Sequence, residues 1–265
     1  MAAYTHILSA LRETQPLVHC MTNTVVPEIT ANVLLAVGAA PAMIDLPEEA
    51  EIFAGIASAL LINVGNGSSE QHEGMRRAAA AAHRAGTPWV LDPVAVGGLP
   101  VRTALARELL AHRPTAIRGN ASEILGLAGV GAGGRGVDAT DEVEAALDTA
   151  RALAEAHLAA VAVSGPVDVV VSAGRTTRIT GGSSLMPLVI GTGCSLGAVV
   201  AACTGARGEA APHDAVVAAH ALFGAAGLVA GREARHPGSF RTAWIDALHA
   251  LSADDVAGLV DVTEA

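Results

Sequence analysis

An α/β protein, folded as a three-layer α/β/α sandwich around a mainly parallel sheet, is what the sequence predicts, on three observations. Short apolar runs of strand character alternate with longer, Ala-rich helical segments, the alternation that lays helices over a parallel sheet. Ala59–Val64 is an unbroken apolar run, the pattern of a strand buried on both faces. From Cys194 onward the chain reads as almost wholly helical, so the last elements are expected to cap the sheet. No linker, repeat or charge block divides the 265 residues, and one domain, 1–265, is expected.

The elements follow in order. Leu17–Met21 reads as a strand and Pro27–Val37 as a helix with Pro at its start. Pro41–Ile44 is a short strand, Glu48–Ala57 a helix, Ala59–Val64 the buried strand, and Ser68–Ala85 a helix ending near Gly86. Trp89–Val94 is the next strand, Arg102–His112 a helix, Ala116–Arg118 a strand and Ala121–Leu127 a short helix. Gly129–Gly136 holds five glycines in eight residues and reads as a loop. Ala139–His157 is a long helix whose Asp141 and Glu142 suit its first turn. Ala160–Val163 and Asp168–Ser172 are strands, and Thr176–Thr180 pairs beside them. Cys194–Thr204, Pro212–Ala230 and Ser239–Leu251 are helices, followed by a short tail.

Composition excludes several chemistries. All 16 basic residues are Arg and none is Lys, so a lysine-bearing P-loop, a Schiff base and a kinase-strand Lys are ruled out. Any phosphate bound here needs Arg, metal ions and backbone N–H groups. A net charge of −10 and 2% aromatics argue against nucleic acid as a partner. Three Cys, with no C-x-x-C, give neither a disulfide framework nor a Cys-rich zinc site. The first residues lack the pattern of a signal peptide. Ala215–Gly231 is apolar but only 17 residues long and contains His220, so it reads as a buried helix, not a membrane span. A cytoplasmic protein is expected.

In open α/β sheets ligands bind beyond the carboxyl ends of the strands. Five polar motifs fall there: Thr22-Asn23, Asn63-Val64-Gly65-Asn66-Gly67, Asp92-Pro93, Arg118-Gly119-Asn120 with Glu123, and Ser164-Gly165. A sixth feature, Gly191-Thr192-Gly193-Cys194, leads straight into a helix. Free N–H groups and the positive dipole end at a helix start favour an anion such as a transferred phosphoryl group. Capping of a core helix by Thr192 or Ser195 is the plain alternative. Asp92 and Glu123 are candidates to hold Mg²⁺, which needs few carboxylates beside water and phosphate oxygens. Against this, Asp92 suits a turn, and Asn120-Ala121-Ser122-Glu123 reads as a capping box. Arg118 offers its fork to phosphate oxygens, or a surface ion pair. Asp138 reads as a helix cap. Met43 suits the core, and His19, Cys20 and Cys203 read as structural.

Taken together, these motifs resemble the hydroxyethylthiazole kinase family, of the ribokinase-like superfamily. The resemblance is carried in order by Val18-His19-Cys20-Met21-Thr22-Asn23-Thr24-Val25, Ala31–Met43, Leu61-Ile62-Asn63-Val64-Gly65, Leu91–Gly97, Arg118–Ile124 and Gly191–Cys194. It implies a ribokinase-like fold and phosphorylation of the hydroxyl of 4-methyl-5-(2-hydroxyethyl)thiazole by ATP with Mg²⁺. It also implies a homotrimer with sites between subunits. By position, Met43, Gly191 and Asn23 fall at the thiazole. Arg118 and Ser164 fall at ATP, with the amides of Thr192 and Gly193 at its phosphates. Asp92 and Glu123 fall at the metal. Cys194 stands where most ribokinase-like kinases carry a catalytic Asp. Ile190 replaces a usual Thr, Ser164 a common Thr, and Arg135 a frequent Lys. Two alternatives stay open: a kinase of the same fold for a hydroxymethylpyrimidine or pyridoxal-like alcohol, and a non-catalytic thiazole- or nucleotide-binding trimer.

Overall fold

The computed structural model describes residues 3–130 and 139–265. Arg135, Asp138 and most of the glycine-rich loop lie outside the described residues, as do the side chains of Asp141 and Glu142. Strands β2 (Ala40–Ala42), β1 (Leu17–Met21), β3 (Ala59–Asn63), β4 (Trp89–Asp92), β5 (Ala116–Asn120) and β6 (Ala160–Ser164) lie side by side in that order, all parallel. Antiparallel strands β7 (Val167–Ser172), β8 (Arg175–Thr180) and β9 (Asp261–Glu264) extend the sheet. Every residue of β3 is buried. Leu60 and Ile62 join one hydrophobic cluster, Ala59 and Leu61 the other. That period of two in an all-apolar run is a strand with a core on each side.

The cluster of Ala59 and Leu61 is covered by α1 (Ala3–Thr14), α2 (Pro27–Val37), α8 (Thr192–Ala206), α9 (Pro212–Glu233), α10 (Pro237–Ala250) and α11 (Ala253–Leu259). The other lies under α3 (Pro47–Ala54), α4 (Ser69–Ala85), α5 (Pro100–Leu109), α6 (Ala121–Ala128) and α7 (Ala139–His157). The predicted three layers are thus present. Helix α9 is apolar and long enough to cross a membrane by composition, but 72% of its most apolar window is buried in the fold. Its Phe223 meets Trp244 of α10 edge-to-face at 5.2 Å.

Two ends of the chain differ from the sequence reading. Residues 3–14 form α1, whose Ile7, Leu8 and Leu11 are buried. Arg12 then reaches the carbonyls of Leu248, His249 and Leu251 and satisfies the free C-terminal acceptors of α10. The expected short tail is instead α11 followed by β9, which adds an edge strand beyond β8. Arg175 fastens that strand through Glu264 at 2.8 Å. β4 ends at Asp92, two residues before the expected limit, because Pro93 brings no N–H to continue the ladder.

Candidate active site

Cys194, Asn23, Asn63 and Asp92 come from four places in the sequence and form one hydrogen-bonded chain. Asn23 Nδ2 donates to Cys194 Sγ at 3.4 Å and to Asn63 Oδ1 at 3.2 Å. Asn63 Nδ2 donates to Asp92 Oδ2 at 2.8 Å. Backbone donors fix the direction of both amides. Val25 N–H takes Asn23 Oδ1 at 3.1 Å, and Gly65 N–H takes Asn63 Oδ1 at 3.0 Å. Each Nδ2 must therefore point outward along the chain, and both ends, sulfur and carboxylate, are acceptors. Asn63 and Asp92 reach this position as the paired last residues of β3 and β4.

Asp92 is fully buried and its Oδ1 has no partner. Burial raises its pKa and Glu123 adds to this, while Arg118 and the Asn63 bond oppose it; the net result is about 7. Glu123 forms the predicted capping box: its Oε2 accepts from Asn120 N–H at the start of α6, while its Oε1 accepts from Ala95 N–H. Among the described residues no three His, Cys, Asp or Glu cluster as a metal cage. An orphaned carboxylate oxygen with a second carboxylate nearby does fit Mg²⁺, which takes one or two carboxylates and fills its shell with water and phosphate.

The raised Asp92 pKa has a measurable consequence. Between its ordinary value and about 7 the folded chain holds a proton that the unfolded chain has released. Stability contributed by this group therefore falls as pH rises through that window and is flat above it. In EDTA, melting midpoints of Asp92→Asn are expected to lose that downward trend between about pH 4 and 7, while the parent keeps it. Parallel curves for the two proteins would refute the assignment.

Beside Asp92 lies the second turn of α8. A Cβ on Gly197 would sit 3.2 Å from Asp92 Oδ2, so glycine lets the helix pack this close without displacing the carboxylate. Gly191 opens the helix at φ +89°, and a Cβ there would fall 2.4 Å from Ile29 Cγ2. No side chain caps α8. Thr192 Oγ1 turns away to the carbonyls of Met186 and Val189, and Ser195 N–H makes the first helical bond, to Gly191 O. The amides of Gly193 and Cys194 precede that bond and carry the positive end of the helix dipole.

Arg118 lies against the first turn of α8: a Cβ on Gly193 would be 3.5 Å from its Nη1. Its Nε and Nη2 donate to Ser164 Oγ at 3.2 and 2.9 Å, across the paired strands β5 and β6. The surface ion pair weighed for Arg118 does not form among the described residues. Because Ser164 Oγ accepts both bonds, its own proton is free to donate elsewhere.

Burial raises the Cys194 thiol pKa, with Asp92 adding to it and Asn63, Asn23 and Arg118 opposing. Cys194 is therefore a thiol at neutral pH. Cys20 and Cys203 are fully buried and pushed up to about 12, which matches their structural reading. His19 is buried too, with Nε2 on Ile44 O at 2.8 Å. Met43 is half-exposed just past the end of β2, with none of these bonds reaching it. A cavity of about 580 Å³ opens beside the β3–α4 loop, lined by Thr24, Gly65, Asn66, His72 and Arg102 among others. Gly65, Asn66 and Gly67 of a strand-end motif line it, but no residue given a specific role in the sequence reading does, although Thr24 adjoins Asn23. Asn63 belonged to a motif given priority but not a role; its place at the end of a buried strand was the usable signal.

A parallel sheet whose strand ends meet an uncapped, glycine-opened helix, and an Arg with no ion-pair partner among the described residues, fit a small-molecule kinase of ribokinase-like fold. A pyridoxal kinase structure from Staphylococcus aureus shares the fold at TM-score 0.64 and 16% identity, over 94% of this chain and 98% of that one. The family is closer. The model of the hydroxyethylthiazole kinase family matches residues 8–254, and the chain belongs to that family. A hydroxyethylthiazole kinase from Corynebacterium glutamicum (strain R) is 56% identical over 260 residues, 97% of each chain. The structure of the Pyrococcus horikoshii OT3 hydroxyethylthiazole kinase superposes at TM-score 0.91 and 34% identity, over 100% of both chains.

Proposed function

We propose that the chain, as one domain, transfers the γ-phosphoryl group of ATP to the hydroxyl of 4-methyl-5-(2-hydroxyethyl)thiazole, with Mg²⁺, in the cytoplasm. The observation that carries this reading is the meeting of the Cys194–Asn23–Asn63–Asp92 chain with the uncapped start of α8. One end presents a sulfur beside an amide donor, suited to an alcohol. The helix start beside it presents N–H groups, Arg118 and the free Ser164 proton, suited to a triphosphate.

The alcohol oxygen attacks the γ-phosphorus in line, held at Cys194 with Asn23, Gly191 and Met43 around the ring. The amides of Gly193 and Cys194 receive the charge that spreads over the transferred group; the Thr192 N–H, expected beside them, already donates to Val189 O at 3.5 Å. Arg118 and Ser164 bind the phosphate chain. Asp92 and Glu123 would hold Mg²⁺, which when bound screens the triphosphate charge. Phosphoryl transfer passes through a loose transition state, so positioning and electrostatics carry most of the rate. A largely protonated Cys194 is compatible with that demand.

Large apolar side chains are exposed around this end of the molecule. Val25 is 50% and Ile190 66% exposed, and the contact of Gly191 with Val26 brings their segments together. Leu46, Leu188 and Met43 are also exposed. Exposed large apolar side chains near a site suit an interface, and the occupant proposed is a second copy of this chain, in a homotrimer.

Incubation with ATP, Mg²⁺ and the thiazole alcohol is expected to give ADP and the alcohol's phosphate ester by mass spectrometry, from a fraction whose light-scattering mass is three chains. Equal or faster turnover of hydroxymethylpyrimidine or pyridoxal would reassign the substrate. Ligand-dependent melting without ADP would make the chain a binding protein.

A further inference from the structure

Helix α9 is lined with Ala, Val, Leu, Phe and Gly, yet it carries a fully buried histidine at its centre. His220 Nδ1 meets Asp168 Oδ2 at 2.7 Å, and its Nε2 is buried without a partner. The other Asp168 oxygen accepts the Gly165 N–H at 2.9 Å. Gly165 and Pro166 are the two-residue link between β6 and β7, and Ser164, the partner of Arg118, is the residue before it. Burial pushes the Asp168 carboxyl up, but His220, the Gly165 amide and Arg118 outweigh it and leave the group below its usual range. Asp168 is thus an ionised carboxylate standing behind Arg118 with both oxygens already engaged.

A buried pair of this kind is weak evidence for stability, because desolvation offsets the attraction. Apolar residues at both positions would suit α9 equally well. What the pair does uniquely is tie a rigid core helix to the peptide that follows Ser164. We infer that Asp168 and His220 are positioning residues for the nucleotide, holding the Ser164–Gly165 turn so that Ser164 and Arg118 present one fixed geometry to the phosphate chain. This rests on the nucleotide role proposed above for Arg118 and Ser164. His220 supplies the donor that fixes the carboxylate, and Asp168 transmits the constraint to Gly165.

The test compares His220→Leu, which removes the donor, with His220→Asn, whose Nδ2 falls close to the imidazole Nδ1. Titration calorimetry with MgADP and steady-state kinetics give the readout. His220→Leu is expected to raise the MgADP Kd and the ATP KM about tenfold, the loss expected for one charged hydrogen bond. The KM for the thiazole alcohol and kcat should stay within about twofold to threefold, and His220→Asn should recover most of the MgADP affinity. A purely structural role would lower the melting temperature without this split between nucleotide and alcohol. Parental MgADP affinity in a folded His220→Leu protein overturns the inference. If that variant does not fold, Asp168→Asn decides, since an amide offers one acceptor where the carboxylate offers two; unchanged MgADP affinity there overturns it equally. Failure of the parent itself to bind MgADP would instead remove the nucleotide reading on which the inference stands.

Discussion

Arg118→Ala is expected to lower kcat/KM for MgATP by about 10²–10³-fold, the usual loss when one preorganised charge donor leaves a phosphoryl-transfer site. The structure makes this substitution clean. Arg118 hydrogen-bonds only the Ser164 hydroxyl and forms no ion pair among the described residues, so its removal breaks no salt bridge, although it takes a positive charge from near Asp92 and Asp168. The melting temperature should move by only a few degrees, the range for a loss of about 1 kcal/mol in a chain of this size. Arg118→Lys should recover part of the rate, because an ammonium restores the charge without the planar fork that engages Ser164 and phosphate together. A steady-state ATP titration of the three proteins checks the order. Parental kcat/KM in the alanine variant would take Arg118 out of the site, and the phosphate assignment of the α8 start with it.

The parallel part of the sheet was legible because its strands are buried on both faces, and burial of that kind is written as unbroken apolar runs such as Ala59–Val64. The edges were not. β9 is a four-residue strand, Asp-Val-Thr-Glu, whose exposed polar residues carry no apolar period; it exists because β8 offers it an edge. Helix α1 has an apolar face of only Ile7, Leu8 and Leu11, too short to stand out before the core it meets is known. In the candidate site, residues just after strands were singled out by position, and their roles by resemblance. Glu123 shows why a motif can carry two readings at once: the capping box predicted from Asn120–Glu123 is present, and the same carboxylate lies close enough to Asp92 to raise its pKa. The Asn23–Asn63 link and the Asp168–His220 pair depend on strand order and helix packing, so no local pattern announces them. Only the register of β3 against β4 puts Asn63 beside Asp92.

Cys194→Ala should reduce kcat by about 10²-fold, at the lower end of what proton-transfer groups supply, and leave the ATP KM nearly unchanged. The lower end follows from the site. Burial holds the thiol above its ordinary pKa, and Asn23, the donor on its sulfur, only partly offsets this. At pH 7 the thiolate is a small fraction of the population, which holds its contribution to that lower end. The sign of the pH dependence separates two roles. If thiolate accepts the alcohol proton, parental kcat rises with pH by up to about tenfold per unit until the thiol titrates, and the alanine variant loses that rise. If the sulfur only orients the hydroxyl, both profiles run parallel with a constant offset. The loose transition state makes a modest dependence sufficient, because the alcohol gives up its proton late and the α8 amides and Arg118 carry the charge that develops first. Parental kcat in Cys194→Ala across the whole pH range would exclude both roles and leave the helix start and the two carboxylates as the entire catalytic apparatus.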